Sequence, residues 1–209
     1  MVELEKSVLA ACRAALGELG FRRVRGSLAR AGGGDAEGLV GLVVGTRKLP
    51  SALLVSPVVG VRFKRLDEAM RLLLDAMPKG AFPMVSSPLG YLTPAKSYME
   101  WEFLREGGHE ALAGEISHAV QLYGMPYIEE NSDWKRFSRD VEVPGFLPDE
   151  DRLRTVPIVM TINGDGDRAL DFVQREVNFR TGLEDVYSIA YRSFARRLSG
   201  YVKSNSLAD

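Results

Sequence analysis

Two histidines, one cysteine and a cluster of carboxylates near residue 165 are the side chains here that could hold a metal or move a proton. His109 and His118 do not stand at the i, i+4 spacing that puts two imidazoles on one helix face. Cys12 is the sole thiol, so a zinc site would have to gather carboxylates from distant segments. Both histidines read as surface or helix-end residues. Asn163-Gly164-Asp165-Gly166-Asp167 alternates oxygen ligands as a calcium loop does, because a hard cation wants several carboxylates converging. The sixth position, which takes glycine for the turn, is Arg168, and the twelfth, which takes a bidentate glutamate, is Gln174. The run therefore reads as a turn and a helix start, with Asp165 or Asp167 as the cap. Gly32-Gly33-Gly34 fits neither GxGxxG nor GxxxxGK[ST], and no GxSxG elbow occurs, so the glycines read as a hairpin loop. No catalytic residue, metal or cofactor is expected.

Residues suited to binding are more numerous. Arg22, Arg23 and Arg25 form one basic run, and Arg62, Lys64 and Arg65 another. A nucleic-acid surface would need Arg23, Arg25, Arg62 and Lys64 to merge on adjacent strands. Glu100 and Glu102 beside Tyr98 and Trp101 argue against it, as does a formal net charge of -1. A protein interface needs aromatic anchors and a polar rim. Tyr91, Trp101, Tyr127 and Trp134 are the candidate anchors, with Arg62 and Glu129 as charged rim. Trp101 also alternates with Met99 and Phe103, which is the pattern of a core residue. A small-molecule site would instead place His109, Tyr91 or Arg62 in a cleft between the sheet and the helical half.

Those residues must be positioned by recognisable elements. Residues 3–19 carry Val8, Leu9, Cys12, Ala15, Leu16 and Leu19 on one helical stripe, with Gly20 as the stop. Three strands are expected at 21–30, 39–47 and 52–64, joined as an antiparallel meander, with Pro57 marking an edge or a bulge. A helix over 66–77, a loop through Pro88, and a strand over 96–104 follow. From about residue 108 the pattern turns helical: 109–123, broken by Gly124 and Pro126, then 126–139, 167–178 and 183–202. The last places Val186, Ile189, Ala190, Ser193, Phe194, Arg197, Leu198 and Tyr201 at helical spacing. Residues 153–162 fit strand or helix equally.

The chain has 209 residues, 45% hydrophobic and 26% charged, which suits one α+β domain spanning 1–209. That domain reads as a helix–sheet–helix–strand part over 1–107, a helical part over 108–202 and a frayed tail over 203–209. Its sheet is mainly antiparallel, of about four strands, with helices packed on it. A lone cysteine suits a reducing compartment. Acidic residues near the start do not fit a signal peptide, and no stretch is apolar enough to span a bilayer. A cytoplasmic protein without membrane contact is expected.

The runs Pro57-Val58-Val59-Gly60-Val61-Arg62-Phe63, Leu89-Gly90-Tyr91-Leu92-Thr93-Pro94 and Tyr123-Gly124-Met125-Pro126-Tyr127 resemble, in order and spacing, a family of uncharacterised bacterial proteins. So does Glu100-Trp101-Glu102-Phe103. The resemblance covers roughly residues 1–200 and carries no catalytic assignment. It implies a small standalone protein like the immunity components of bacterial toxin systems, whose partner would be a cognate protein toxin. The expectation is a non-enzymatic protein-binding role of that kind, with no nucleic-acid partner and no oligomeric state assigned.

Overall fold

Leu4, Val8, Cys12 and Leu16 recur every four residues and form the buried stripe of helix α1 (Val2–Glu18). The helix ends in a Schellman turn at Gly20, whose φ of +87° suits a residue without Cβ. There Phe21 N–H donates to Leu16 O (3.2 Å) and Gly20 N–H to Gly17 O (3.0 Å), so two orphan carbonyls are satisfied. Burial pushes the Cys12 thiol up to about 11, as a structural thiol requires. These features belong to a computed structural model that describes residues 2–24, 26–45, 52–75 and 80–205.

The chain forms two compact units. One comprises Met1–Phe63 and Pro78–Asp133, the other Lys64–Met77 and Trp134–Asp209. The division does not fall at residue 108, where the sequence pattern turns helical.

The first unit holds an antiparallel sheet. The stretch 21–30 is not one strand but a hairpin: β1 (Arg22–Val24) and β2 (Ser27–Ala31) pair with Val24 opposite Ser27, and Gly26 turns at φ +94°. Strand β3 (Ala36–Gly45) follows the glycine loop, and β4 (Ala52–Phe63) pairs with its whole length. Residues 46 and 47 of the expected strand lie outside the described residues. Two further strands share the other edge of β4: β5 (Val85–Pro88) opposite Val58–Val61, and β6 (Trp101–Leu104) opposite Ala52–Val55. The sheet thus has six strands among the described residues rather than about four. Pro57 lies in this central strand, not at an edge. It sits where β6 gives way to β5, so the residue that cannot donate falls in the gap between two partners. The expected strand at 96–104 shrinks to Trp101–Leu104, because Met99 O is taken by the Ser56 hydroxyl (3.0 Å).

Both faces of β4 are covered. Val59, Val61 and Phe63 lie under helices, while Gly60 on the other face leaves room for Pro83 and Ser86. The helices are the short α3 (Leu89–Leu92), then α4 (His109–Ala119) and α5 (Met125–Asn131). Gly124 and Pro126 do not break the chain between the last two. A π turn over Val120–Gly124 joins them, with Met125 N–H donating to Val120 O. The wider turn seats a proline and brings Gly124 onto the sheet, where a Cβ would stand 3.0 Å from Val59. Further along, Gly38 makes space for Ile128.

The second unit is helical. Helix α2 (Lys64–Leu73) contacts α7 (Asp149–Ile162) and α9 (Val186–Asn205), and α7 contacts α6 (Trp134–Asp140) and α8 (Gly166–Phe179). The expected helix over 126–139 is therefore two, α5 and α6, parted at Ser132 and Asp133. The ambiguous 153–162 is helical, and Thr155–Met160 are all buried, so β-branched residues fill a helix covered on every side. Pro157 inside α7 has no N–H for Leu153 O, four residues earlier. The buried Tyr191 hydroxyl of α9 donates to that carbonyl instead (3.3 Å). Asp165 is the N-cap of α8, but its side chain makes no capping bond and lies 3.8 Å from Arg168. Ahead of α9, Asp185 accepts from the Ser188 hydroxyl (2.6 Å) and N–H (3.0 Å), which holds its carboxyl below the usual carboxylate range. Among the described residues no helix is long and apolar enough to cross a membrane.

Candidate protein-binding surface

Of the sequence-predicted anchors and rim, Tyr91, Trp101, Tyr127, Arg62 and Glu129 belong to the first unit and Trp134 to the second. Trp101 is 8% exposed and faces the core from β6 opposite Val55. Arg62 is 7% exposed and pairs with Glu37 directly across β3 and β4, its Nε 2.8 Å from Oε2. Neither presents a side chain to a partner. Tyr91 on α3 is half exposed. On α5, Glu129 is exposed and Tyr127 half-buried, and burial with the Glu130 charge raises the Tyr127 phenol. Trp134 opens α6 in the second unit. Its indole N–H donates to Asn163 Oδ1 (2.8 Å), and the Arg65 guanidinium carbon stacks 3.9 Å from its ring centroid. The indole is therefore half-buried and engaged, not an open anchor.

Within the first unit, Arg22 and Arg23 do not merge with Arg62. Arg22 and Arg23 lie on β1, three strands from β4 and so about 14 Å away. Arg62 is buried in its ion pair, Lys64 opens α2, and Arg25 lies outside the described residues. His109 is not a surface histidine. It is buried at the first turn of α4, with Nε2 donating to Leu104 O (2.8 Å) and Nδ1 3.0 Å from the Ser7 hydroxyl. His118 is exposed. Among the described residues no group of three His, Cys, Asp or Glu side chains is placed to hold a metal.

Two features of the second unit are open to solvent. The first is a shallow cleft of about 590 Å³ beside Trp134, lined by Arg65, Lys135, Arg139, Ser138 and Glu142. Three cations from two helices border it, and the buried Ser138 hydroxyl has no hydrogen-bond partner among the described residues.

The second is the α8–α9 hairpin. A Cβ on Gly166 would reach Val202, and Arg192 Nη1 donates to Arg180 O (3.3 Å) and Leu183 O (2.9 Å), so the helices run antiparallel. Helix α9 buries Tyr191, Phe194, Ala195, Leu198 and Val202. Phe194 and Leu198 belong to the stripe expected from spacing, and the buried face is turned from it toward Tyr191, Ala195 and Val202. Val186 and Ile189 are exposed, because the apolar surface of α9 is wider than the face its neighbours cover. Phe179 and Val186 are each 79% exposed, and Leu183, Tyr187 and Ile189 join them, so five large apolar side chains stand in solvent within residues 179–189. Alongside runs a groove of about 750 Å³. Its floor is Leu170, Val173, Val177 and Ala195, and its α9 wall carries Arg192, Arg196, Ser199 and Lys203. Sequence reading held part of this signal, since Val186 and Ile189 stood out as apolar. What it lacked was which side of α9 the rest of the unit leaves open.

Comparison with known protein families, curated proteins and solved structures gives no match for this chain.

Proposed function

We propose that this chain works by binding another protein, through the apolar end of the α8–α9 hairpin. The observation that supports it is the concentration of exposed Phe179, Leu183, Val186, Tyr187 and Ile189 at one end of one hairpin. A soluble domain gives up on the order of 1.5–3 kcal/mol for each large apolar side chain it leaves in water, and a partner returns it. The toxin-neutralising form of the role, in which the partner is a toxin whose active site the chain occludes, rests on the family resemblance alone. The test is capture with tagged full-length chain, compared with a Phe179→Asp, Val186→Asp double variant. Both positions are open to solvent, so the variant is expected to keep its circular dichroism and Tm while losing a stoichiometric partner. A partner retained by the variant, or none captured by either protein, overturns the proposal. Relief of growth arrest when chain and captured partner are co-expressed tests the toxin-neutralising form.

A second reading, small-molecule binding, is favoured by the Trp134 cleft, where Arg65, Lys135 and Arg139 converge beside the unpartnered Ser138 hydroxyl. Thermal-shift titration with inorganic phosphate tests it. A rise in Tm abolished by Lys135→Ala with Arg139→Ala supports an anion site, and no rise rejects it.

A further inference from the structure

Five partly exposed side chains form a small contact, and association must first repay lost translational, rotational and side-chain freedom. A partner would engage more than the apolar tip, and the groove between α8 and α9 is shaped for a particular kind of segment. We propose that the α8–α9 groove seats an amphipathic helix with an acidic flank, supplied by the partner protein; the inference rests on the protein-binding reading above.

A helix fits better than a strand. The groove lies between two antiparallel helices, and a third helix can lay its ridges between them at the usual 8–10 Å spacing. An extended segment would find no edge of N–H and C=O groups to pair with. Helix α8 has 14 residues, about 21 Å, so it offers room for an occupant of three to four turns. The floor of Leu170, Val173, Val177 and Ala195 calls for an apolar stripe at i, i+3, i+4 and i+7.

Charge fixes the flank. Helix α9 carries Arg192, Arg196, Arg197 and Lys203 and no carboxylate. Arg197 is taken by Asp75, and Arg192 is tied to the Arg180 and Leu183 carbonyls. Arg196 and Lys203 are exposed and have no ion-pair partner among the described residues. They are seven residues apart on one stripe, about 10.5 Å along the axis. Two carboxylates at i and i+7 on the partner helix meet both. The opposite wall presents the Asp171 carboxylate, which repels a second acidic flank, so the acidic edge of the occupant faces α9.

The test uses the full chain and a synthetic blocked 15-residue helical peptide with Leu at the inward positions and Glu at two outer positions seven apart. A labelled version is followed by fluorescence anisotropy. The expected result is saturable micromolar binding, weakened about tenfold by the Arg196→Glu, Lys203→Glu double variant and by raised salt. A peptide carrying Lys in place of both Glu binds that variant and not the original chain. No binding of the acidic peptide up to about 100 μM overturns the inference, as does binding indifferent to both charge swaps. Self-association of the chain by light scattering that the double variant abolishes also overturns it, by assigning the groove to a second copy. A captured protein lost with Phe179→Asp, Val186→Asp but kept with the groove variant leaves the protein-binding role standing and sinks the acidic helix.

Discussion

Tyr191 should be worth more to this protein than its ring, and Pro157 is the reason. A proline inside α7 leaves the Leu153 carbonyl without its i+4 donor, and the Tyr191 hydroxyl fills that place at 3.3 Å from a site only 3% exposed. Tyr191→Phe keeps the ring, its contact with Phe194 and the buried area, but removes the donor. The part-buried carbonyl then loses its donor, which costs roughly 1 kcal/mol. Pro157→Ala restores an N–H at the right position, so in that background Tyr191→Phe should cost less than about 0.5 kcal/mol. The coupling between the two positions is then about 0.5 kcal/mol or more, measured by urea denaturation of the four proteins in a double-mutant cycle. Coupling within error of zero would show that the hydroxyl does not substitute for the missing amide, and would refute the argument. The same hydrogen bond and burial imply a pH effect. Burial raises the Tyr191 phenol above its ordinary 10.0, so the folded chain keeps the proton after the unfolded chain loses it. This contribution is complete below pH 10 and declines as pH rises further, a decline Tyr191→Phe should remove.

Other consequences can be checked separately. Glu37→Ala removes the carboxylate that pairs with buried Arg62 and should cost about 1.5–3 kcal/mol in chemical denaturation, while Glu37→Leu with Arg62→Met should recover most of it. Gly114 and Gly124 lie in one helical run with opposite surroundings. Gly114→Ala meets nothing and should stabilise by about 0.5–1 kcal/mol, whereas Gly124→Ala presses on Val59 and should destabilise by about 1–3 kcal/mol, both read as shifts in denaturation midpoint. Cys12, with its thiol held near 11, should resist a thiol reagent at pH 8 until the protein unfolds. Its stabilising contribution should fade between pH 9 and pH 11, since the unfolded thiol ionises first.

Where local pattern and tertiary contact agree, the sequence was readable. The four-residue spacing of Val8, Cys12 and Leu16 defines α1, and Gly20 defines its end. The long Val-rich run of β4 is a strand in any context. Legibility failed where a distant segment decides the outcome. Val85-Ser86-Ser87-Pro88 has no alternation of its own and becomes a strand only by pairing with Val58–Val61. Gly124-Met125-Pro126 has the composition of a break, yet a π turn carries the helix through because Gly124 lets it press on Val59. The candidate surface failed for a related reason. Spacing finds the apolar positions of α9, but Tyr191 and Leu198 are covered while Val186 and Ile189 are not, and only the arrangement of α2, α7 and α8 decides which. Arg62 illustrates the converse: its charge suggests a rim residue, and the side chain opposite, Glu37, pairs with it inside the sheet.

The placement of α2 in the second unit also sets an order of events during synthesis. Leu66, Ala69 and Leu73 leave the ribosome with the first unit's strands, but the helices α2 contacts in its own unit, α7 and α9, begin at Asp149 and Val186. At about 5–20 residues per second, that apolar face waits roughly 4–25 s for its partners. The nascent chain therefore passes through a stage in which the apolar positions of α2 have been made but its partners within the second unit have not, and during that interval they are open to a chaperone or to a neighbouring chain on the same message.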